Sequence, residues 1–309
     1  MLRRYLKRGE QWVEKLSKLN YNTAKLYYHY TLRRADRRHD EPPLLVFQMG
    51  KVGSKSVVSS LAKAGINRRT YHVHFLDSNL IEKYEIKRKK FLRTKREGAL
   101  KHIWQYSYLR KWIEQKNNER RWKIVTLVRD PVARNLATFF ENIEIVSVNS
   151  KQEWNLNSVE YDFQIVVKKE DLSGLIELFF EKCRHDTPLV YYDREFRKIF
   201  DIDVYASDFP TSKGYEIYQG KNADVLLIRL EDLNRCASTA FKELMDIDDF
   251  SLLNKNLGDN KDYADLYKDF KDHIHLPDSY LDKLYKSKFS NHFYSEVEIS
   301  SFRNRWTKK

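Results

Sequence analysis

Short apolar runs alternate along this chain with longer stretches in which apolar residues recur every three or four positions. The runs are rich in β-branched and aromatic residues, which predicts strands that begin at Leu44 and lie at 70–76, 123–128, 215–218 and 225–228. The helical spacing predicts helices at 54–64, 81–98, 104–118, 131–142, 172–184, 236–247 and 278–288. This alternation predicts an α/β fold with a mostly parallel central sheet covered by helices on both faces.

Turn and cap residues set the predicted ends of several helices. Gly65 and Gly98 are predicted to end the helices that precede them. Pro131 is predicted to begin a helix, and Asp171 is predicted to cap the next one. Gly220 lies in the predicted turn between the last two strands.

Residues 1–41 are predicted to form a basic helical extension. Apolar residues recur at helical spacing from 9 to 31, and Pro42 and Pro43 separate this segment from the domain predicted for 42–309. A tyrosine-rich stripe favours packing of the helix on its own domain. The alternative is a peripheral membrane contact, because lysine and arginine residues surround the stripe within residues 1–40.

Positive charge is concentrated in two blocks of the sequence. The formal net charge is +13, while residues 1–40 carry +7 and residues 82–123 carry +10, so the remainder is mildly acidic. This distribution favours an anionic partner, with nucleic acid, a nucleotide, an acidic glycan and an anionic lipid surface as the candidates.

Cysteine content and hydropathy predict a cytoplasmic protein. Cys183 and Cys236 are too few for a disulfide scaffold and are predicted to be free thiols in a reducing compartment. No run approaches the ~20 apolar residues that a membrane span requires, and the first residues lack the apolar core of a signal peptide. Any membrane association is therefore expected to be peripheral, at the inner face.

The segment 48–56 carries the strongest chemical signal. Gly50 and Gly53 permit a sharp turn close to a ligand, and the helix that follows offers free N–H groups to an oxyanion. The segment adds two lysines and two serines as donors: Lys51, Ser54, Lys55 and Ser56. It therefore predicts a phosphate-binding loop, although the nucleotide-hydrolysing pattern G-x-x-x-x-G-K-[ST] fails at both glycine positions. The alternative is a turn that binds no ligand.

A second anion-binding position is predicted where the strand at 123–128 ends. Arg129 follows that strand directly, at the end where open α/β sheets bind ligands. Arg129 and Arg134 carry planar, forked donors that suit a terminal phosphate. Because both predicted strands end at the same sheet edge, the two positions should face one crevice. The alternative is a structural Arg–Asp pair at a helix start.

Together these segments resemble the sulfotransferases that use 3′-phosphoadenosine 5′-phosphosulfate (PAPS). The resemblance lies in G-K-V-G-S-K-S at 50–56 and in L-V-R-D-P-x-x-R-x-x-x-x-F-F at 127–140. Residues 228–233 resemble the R-x-E-D-L segment of these enzymes. Residues 260–264 loosely resemble the N-K-W-Y-S signature of a bacterial branch associated with capsular polysaccharide synthesis. The similarity covers roughly 44–306 and implies a P-loop-NTPase-like three-layer sandwich.

The resemblance implies roles for individual residues. The 5′-phosphosulfate is expected to contact Lys51, Val52, Gly53, Ser54, Lys55 and Ser56. Arg129 is expected to bind the 3′-phosphate. The family usually has a serine eight positions later, where this chain has Ala137, so Thr138 or Arg134 is expected to take part of that contact. In the closing signature, Lys261 and Tyr263 are expected to close over the nucleotide.

Three residues are the candidates for catalysis. Lys51 is expected to stabilise charge on the leaving oxygen. His102 or His74 is expected to take the proton of the acceptor hydroxyl, with Glu82 or Glu85 as a carboxylate alternative. The histidine spacing does not suit a metal site, and no metal cofactor is expected.

The predicted function is transfer of a sulfuryl group from PAPS to a hydroxyl, with adenosine 3′,5′-bisphosphate as product and a polysaccharide or other glycan as acceptor. The basic block at 82–123 favours an anionic glycan, or is a solvated helical face. Two other classes stay open, namely a nucleotide kinase or hydrolase and a basic module that binds RNA or membranes. No nucleic acid is expected, because the aromatic residues are not arranged as an RNA-stacking platform.

Overall fold

The computed structural model describes most of the chain. The described residues are 20–39, 41–66, 68–94, 96–115, 121–141, 143–148, 151–158, 163–168, 172–248, 250–253 and 264–307, and for 143–168 the description is confined to the backbone. Within these ranges no helix is both long enough and apolar enough to cross a bilayer.

The strands form two sheets. They are β1 (Leu44–Phe47), β2 (Thr70–Val73), β3 (Trp122–Val128), β4 (Ile143–Val148), β5 (Lys151–Ser158), β6 (Phe163–Lys168), β7 (Tyr215–Gln219) and β8 (Ala223–Arg229). The central sheet has the order β2-β1-β3-β8-β7. Its first four strands are parallel, and β7 pairs with β8 in the antiparallel direction through the turn that contains Gly220. The predicted mostly parallel central sheet is therefore confirmed.

The burial of the central strands explains their sequences. Every residue of β1 and of β8 is buried, and β3 is buried except at Lys123. Since successive side chains point to opposite faces of a sheet, both faces of these strands must be covered. That cover explains why the strands are continuous apolar runs rather than alternating ones.

The helices lie before, between and after the strands. They are α1 (Tyr21–Asp36), α2 (Ser54–Lys63), α3 (Ser78–Arg88), α4 (Glu97–Ile113), α5 (Pro131–Phe140), α6 (Leu172–Lys182), α7 (Thr187–Tyr192), α8 (Lys198–Phe200), α9 (Leu233–Met245), α10 (Ala264–His273), α11 (Asp278–Tyr285), α12 (Lys288–Phe293) and α13 (Glu296–Thr307). A π-helical segment, Asp193–Arg197, joins α7 to α8. Gly65 follows α2 with a φ of 64°, as its predicted role requires.

Helix α1 is attached to the body of the protein. Asp36 is buried and accepts hydrogen bonds from the hydroxyls of Tyr71 on β2 and Tyr108 on α4. At the other end of α1, the Tyr21 hydroxyl donates to Glu85 and accepts from the Trp104 indole. The described part of the predicted extension therefore packs on its own domain, whereas residues 1–19 lie outside the described residues.

The predicted helix at 81–98 is wrong at its end. Helix α3 ends at Arg88 and continues as a short 3-10 turn, Lys89–Phe91. Arg93 then takes a positive φ of 63°, and its N–H donates to the carboxylate of Glu97. Gly98 consequently lies in the first turn of α4 rather than at a helix C-terminus, because this local reversal ends the first helix earlier.

Two further features were not predicted in this form. The small antiparallel sheet β4-β5-β6 had no sequence assignment. The predicted helix at 278–288 ends at Tyr285, and a separate helix, α12, starts at Lys288, where the Ser287 side chain accepts from the N–H of Ser290. The predicted cap Asp171 lies outside the described residues, whereas Cys183 and Cys236 are buried free thiols, as predicted.

Candidate functional site

A cavity of about 1230 Å³ opens at the carboxyl ends of the parallel strands. Its wall includes residues 50, 51 and 53–56 after β1, His74 after β2, Arg129 after β3 and Leu230 after β8. Val52, which was also predicted to contact the cofactor, is fully buried and does not line the cavity. These segments are neighbours because the strands that carry them are neighbours in the sheet. The two anion-binding positions predicted from the sequence therefore face one crevice.

The loop after β1 has a strained conformation that one glycine permits. Gly53 has a φ of 92°, and a Cβ at that position would lie 2.5 Å from Cδ1 of Leu230. Lys51 also has a positive φ of 69°. Gly50, by contrast, does not have a positive φ, and a Cβ there would meet no atom within 4 Å. The sharp turn is thus made at Lys51 and Gly53 and not at Gly50, contrary to the prediction.

The loop leads directly into α2, which begins at Ser54. The first N–H groups of a helix have no carbonyl partner within the helix and carry partial positive charge. Gly53 precedes this helix without a side chain that could cap it. Ser54, Lys55 and Ser56 all line the cavity, so the helix start faces the space where an oxyanion could bind.

Two arginines support the backbone of this loop. Nη1 of Arg129 donates to the carbonyl of Lys51 at 3.0 Å, and Nε of Arg134 donates to the carbonyl of Gly50 at 3.1 Å. Both contacts fix backbone carbonyls of the loop. The residues that were predicted to hold phosphates also hold the loop itself.

Arg134 has a polar atom that its surroundings do not satisfy. Its side chain is fully buried on α5, and its Nη1 donates to the side-chain oxygen of Asn135. Nη2 is buried and has no hydrogen-bond partner among the described residues. A buried, unpartnered guanidinium nitrogen is costly, and it would be satisfied by an anion in the cavity that Arg134 lines.

Thr138 and Ala137 follow on the same helix and both line the cavity. The Thr138 hydroxyl donates to the carbonyl of Arg134 at 2.9 Å, and the side chain is 2% exposed. Its proton is therefore engaged within α5. A contact of Thr138 with a 3′-phosphate remains a prediction.

Glu141, which the sequence analysis missed, pairs with both lysines of the loop. Its carboxylate lies 2.7 Å from Nζ of Lys51 and 3.4 Å from Nζ of Lys55. Glu141 follows α5 directly and lines the cavity. No local signal could have identified it, since a glutamate after an apolar helix is usually a solvated residue.

Three histidines line the same cavity. The rings of His72 and His74 lie edge to face with centroids 4.5 Å apart, and His102 lies on α4. Nδ1 of His74 is 3.1 Å from the carbonyl of Gln48, which can only accept, so Nδ1 carries the proton of the neutral ring. The basic nitrogen of neutral His74 is therefore Nε2.

Burial and charge keep two of these rings neutral. Burial lowers the pKa of His72 to about 3, and the neighbouring rings of His74 and His102 together with the charge of Lys55 add to this effect. The pKa of His102 is also lowered, by partial loss of hydration and by the charge of Arg88, although its side chain remains exposed towards the cavity. A neutral, exposed imidazole can accept a proton from a ligand hydroxyl.

The carboxylate alternatives do not line the cavity. Glu85 accepts hydrogen bonds from Lys25 and Tyr21 of α1, and Glu82 is exposed on α3. Among the described residues, no group of three or more histidine, cysteine or acidic side chains is arranged to hold a metal ion.

The R-x-E-D-L segment has a structural role behind the cavity. Arg229 pairs with Asp232 and with Glu298 of α13, and its Nη1 donates to the carbonyl of Phe293. The next acidic residue, Glu231, accepts the backbone N–H of Asp130 at 2.9 Å. The segment after β8 thus supports the segment after β3.

Asp130 connects the start of α5 to other parts of the fold. Its Oδ1 accepts from the N–H of Val132, which caps α5, and from the Tyr285 hydroxyl at 3.0 Å. Burial raises the pKa of Asp130 above its usual range. The Arg–Asp–Pro sequence therefore combines one residue that lines the cavity with one that holds the helix start.

The C-terminal part of the chain resembles one known family. Residues 162–295 match the NKWYS family. That family is described as "Putative capsular polysaccharide synthesis protein". The matched range covers less than half of the chain and excludes the loop at 50–56 and Arg129. No curated protein and no solved structure matches the chain.

The matched range contributes several residues to the cavity that the sequence analysis missed. They are Arg184, Asp186, Thr187, Val190, Tyr191, Arg194, Leu230, Leu233, Asn234, Leu252, Tyr267 and Lys271. The signature-like segment 260–264 also lies in that range, but Lys261 and Tyr263 are outside the described residues. From the basic block at 82–123, Arg88 lines the cavity.

Proposed function

We propose that this protein transfers a sulfuryl group from PAPS to a hydroxyl of a polysaccharide. The contact between Arg129 and the Lys51 carbonyl carries the proposal, because it joins two anion-binding strand ends in one cavity. The polysaccharide acceptor follows from the description of the matched family. The same proposal assigns the central sheet to a P-loop-like three-layer sandwich.

The residues present fit a nucleotide with a 5′-phosphosulfate and a 3′-phosphate. Lys51, Lys55 and the start of α2 would hold the phosphosulfate, because all of them line one end of the cavity. Arg129 would hold the 3′-phosphate, and the buried Nη2 of Arg134 would gain the partner that it lacks. PAPS would supply the sulfuryl group, which is bonded to the phosphate oxygen that acts as the leaving group.

The remaining steps fall to side chains of this protein. Nε2 of His74 or the ring of His102 would take the proton of the acceptor hydroxyl. That hydroxyl oxygen forms the new bond to sulfur as the bridging bond from sulfur to the phosphate oxygen breaks. Lys51 and the N–H groups of α2 would stabilise the charge that develops on the leaving oxygen, and adenosine 3′,5′-bisphosphate is the second product.

Calorimetric titration of the full chain tests the nucleotide site. Adenosine 3′,5′-bisphosphate should bind at least about tenfold more tightly than 5′-AMP, because only the former carries the 3′-phosphate. Arg129→Ala should abolish this preference. Arg197→Ala should retain it, because Arg197 is 60% exposed and pairs with Asp203 rather than lining the cavity. Equal, weak binding of both nucleotides to the wild type would refute the proposal.

A transfer assay tests the chemistry. Labelled sulfate should pass from PAPS to a polysaccharide acceptor in the presence of a metal chelator. Magnesium-dependent turnover of ATP without any sulfate transfer would instead favour the nucleotide kinase or hydrolase.

A further inference from the structure

Three further arginines line the cavity. They are Arg88, Arg184 and Arg194. In the sheet, β2 lies on one side of β1, and β3 and β8 lie on the other. Arg129 follows β3, whereas Arg88 belongs to α3, which follows β2. The proposed nucleotide contacts therefore leave these three arginines unused.

Tyr84 holds two of the three arginines in place. Nη1 of Arg184 lies 3.4 Å from the Tyr84 hydroxyl, and the guanidinium of Arg88 lies over the Tyr84 ring, 5.2 Å from its centroid. Nη1 of Arg88 also donates to the carbonyl of Ala99 at 3.0 Å. Tyr84 itself is buried. These contacts hold the two guanidinium groups in place, which lowers the entropic cost of binding an anion.

A buried carboxylate fixes the third arginine. Nε of Arg194 donates to Glu195 at 2.7 Å, and Glu195 is fully buried. The other oxygen of Glu195 accepts the backbone N–H groups of Leu76 and Asp77, between β2 and α3. Glu195 therefore joins Arg194 to the strand end that also carries the histidines. The side chain of Arg194 remains 30% exposed, at the cavity wall.

The charge of the cavity exceeds what the nucleotide would neutralise. The described residues that line it include eight lysines and arginines but only two carboxylates, Glu141 and Asp186. A nucleotide with a phosphosulfate and a 3′-phosphate carries about four negative charges near pH 7. Arg88 lies close enough to His102 for its charge to lower the pKa of that ring.

We propose that Arg88, Arg184 and Arg194 bind an oxyanion on the acceptor glycan, a carboxylate or a phosphate, close to the hydroxyl that receives the sulfuryl group. This inference rests on the proposed function and specifies its acceptor as an acidic polysaccharide. Forked guanidinium groups suit both kinds of oxyanion. RNA fits the site less well, because single strands bind along open basic grooves with exposed stacking aromatics.

Four probes of similar length test the inference on the full chain saturated with adenosine 3′,5′-bisphosphate. They are a galacturonate oligomer, a glycerol phosphate oligomer, neutral maltohexaose and an RNA hexamer. At least one acidic non-nucleic probe should bind, and Arg184→Gln should weaken it by about tenfold or more. Which of the two binds identifies the oxyanion as carboxylate or phosphate. Binding of maltohexaose as tight as either acidic oligomer, or tighter binding of RNA, would overturn the inference.

Matched variants distinguish binding by the three arginines from a non-specific effect of positive charge. Arg88→Gln should weaken the acidic probe as Arg184→Gln does, whereas Arg197→Gln should not, because Arg197 lies on the same segment as Arg194 but outside the cavity. Arg184→Lys keeps the charge without the fork and should recover part of the affinity, even if Arg184→Gln folds poorly. Equal losses in all four variants would overturn the inference.

The nucleotide measurement keeps the two proposals distinguishable. Arg184→Gln should leave the affinity for adenosine 3′,5′-bisphosphate within about twofold of wild type, because the proposed nucleotide contacts do not include it. Arginine-dependent binding of an acidic oligomer by a protein that binds no bisphosphate would refute the sulfotransferase and retain the acidic-glycan subsite. A preference for the bisphosphate without binding of either acidic oligomer would refute the subsite alone.

Discussion

Arg129 donates a hydrogen bond from Nη1 to the backbone carbonyl of Lys51, and the two atoms are 3.0 Å apart. The two residues follow β3 and β1, which are neighbouring parallel strands. The guanidinium therefore contacts the loop directly, across the edge where ligands bind to open α/β sheets. Arg129 thus holds the backbone of the loop and also contributes positive charge to the cavity.

Gly53→Ala should destabilise the protein by about 1–3 kcal/mol and weaken binding of adenosine 3′,5′-bisphosphate. The new methyl group would impose strain at a φ of 92° and would lie 2.5 Å from Cδ1 of Leu230. Urea denaturation measures the free energy of unfolding, and calorimetry measures the affinity.

The same loop offers a matched control. Gly50→Ala introduces the same methyl group where the backbone does not have a positive φ and no atom lies within 4 Å. Its free energy of unfolding should stay within about 0.5 kcal/mol of wild type or rise slightly. Similar losses in both variants would show that the conformation of Gly53 is not the cause.

The sequence was sufficient to predict the elements that carry the site. The strands before Gly50 and Arg129 are short, mainly apolar runs that are buried except at Lys123, and such runs followed by a turn and a helix predict a parallel sheet. Because parallel strands run in the same direction, the carboxyl ends of these two strands lie at the same edge of the sheet. The cavity, the loop and the placement of His74 and His102 on it agree with that reasoning.

The remainder depended on contacts that are distant in sequence. Glu141 reaches Lys51 because α5 turns back over the loop, 90 residues along the chain. Arg184 is positioned by its contact with Tyr84. Arg194 is positioned by Glu195, which in turn accepts the N–H groups of Leu76 and Asp77. Each is an ordinary charged residue in its own segment, so no local pattern distinguishes it. The end of the predicted helix at 81–98 was missed for a local reason instead, because Arg93 takes a positive φ of 63° and its N–H donates to Glu97.

Glu141→Gln should strengthen binding of adenosine 3′,5′-bisphosphate by about three- to tenfold at low salt. The substitution removes the negative charge that lies 2.7 Å from Nζ of Lys51. The ligand then no longer competes with this carboxylate for the lysines. The gain should shrink as ionic strength rises. Calorimetry at two salt concentrations measures both effects.

Glu114→Gln is the control for this prediction. Glu114 is 51% exposed and pairs with Arg110 on α4, outside the cavity, so its loss changes net charge by the same amount. It should leave the affinity nearly unchanged. Weaker binding by Glu141→Gln would mean that the carboxylate positions the lysines rather than competing with the ligand.

His72 should make the protein less stable as the pH falls. Its folded-state pKa of about 3 lies below the unfolded value near 6.5, so between these values the unfolded state binds the proton and the folded state does not. The contribution of His72 to the free energy of unfolding is therefore fully present above pH 6.5 and is about 2 kcal/mol smaller at pH 5. Urea denaturation at pH 7 and pH 5 measures the difference.

His72→Gln should reduce this pH dependence, because glutamine does not titrate. His275→Gln should retain it, since His275 is exposed on the surface. An identical pH dependence in wild type and His72→Gln would rule out His72 as its source.

Tyr285→Phe should lower the free energy of unfolding by about 1–3 kcal/mol at pH 7. The Tyr285 hydroxyl donates to Oδ1 of Asp130, whose Oδ2 is buried without a hydrogen-bond partner among the described residues. The pKa of Asp130 is already raised by burial, and loss of this donor raises it further. Since a protonated carboxyl needs fewer donors, the loss should be smaller at pH 4.5 than at pH 7.

Tyr30→Phe, at a residue that is 58% exposed, should have no effect at either pH. Because Asp130 also caps the helix that carries Arg134, Tyr285→Phe should weaken binding of adenosine 3′,5′-bisphosphate as well, and full stability with full affinity would contradict the proposed support.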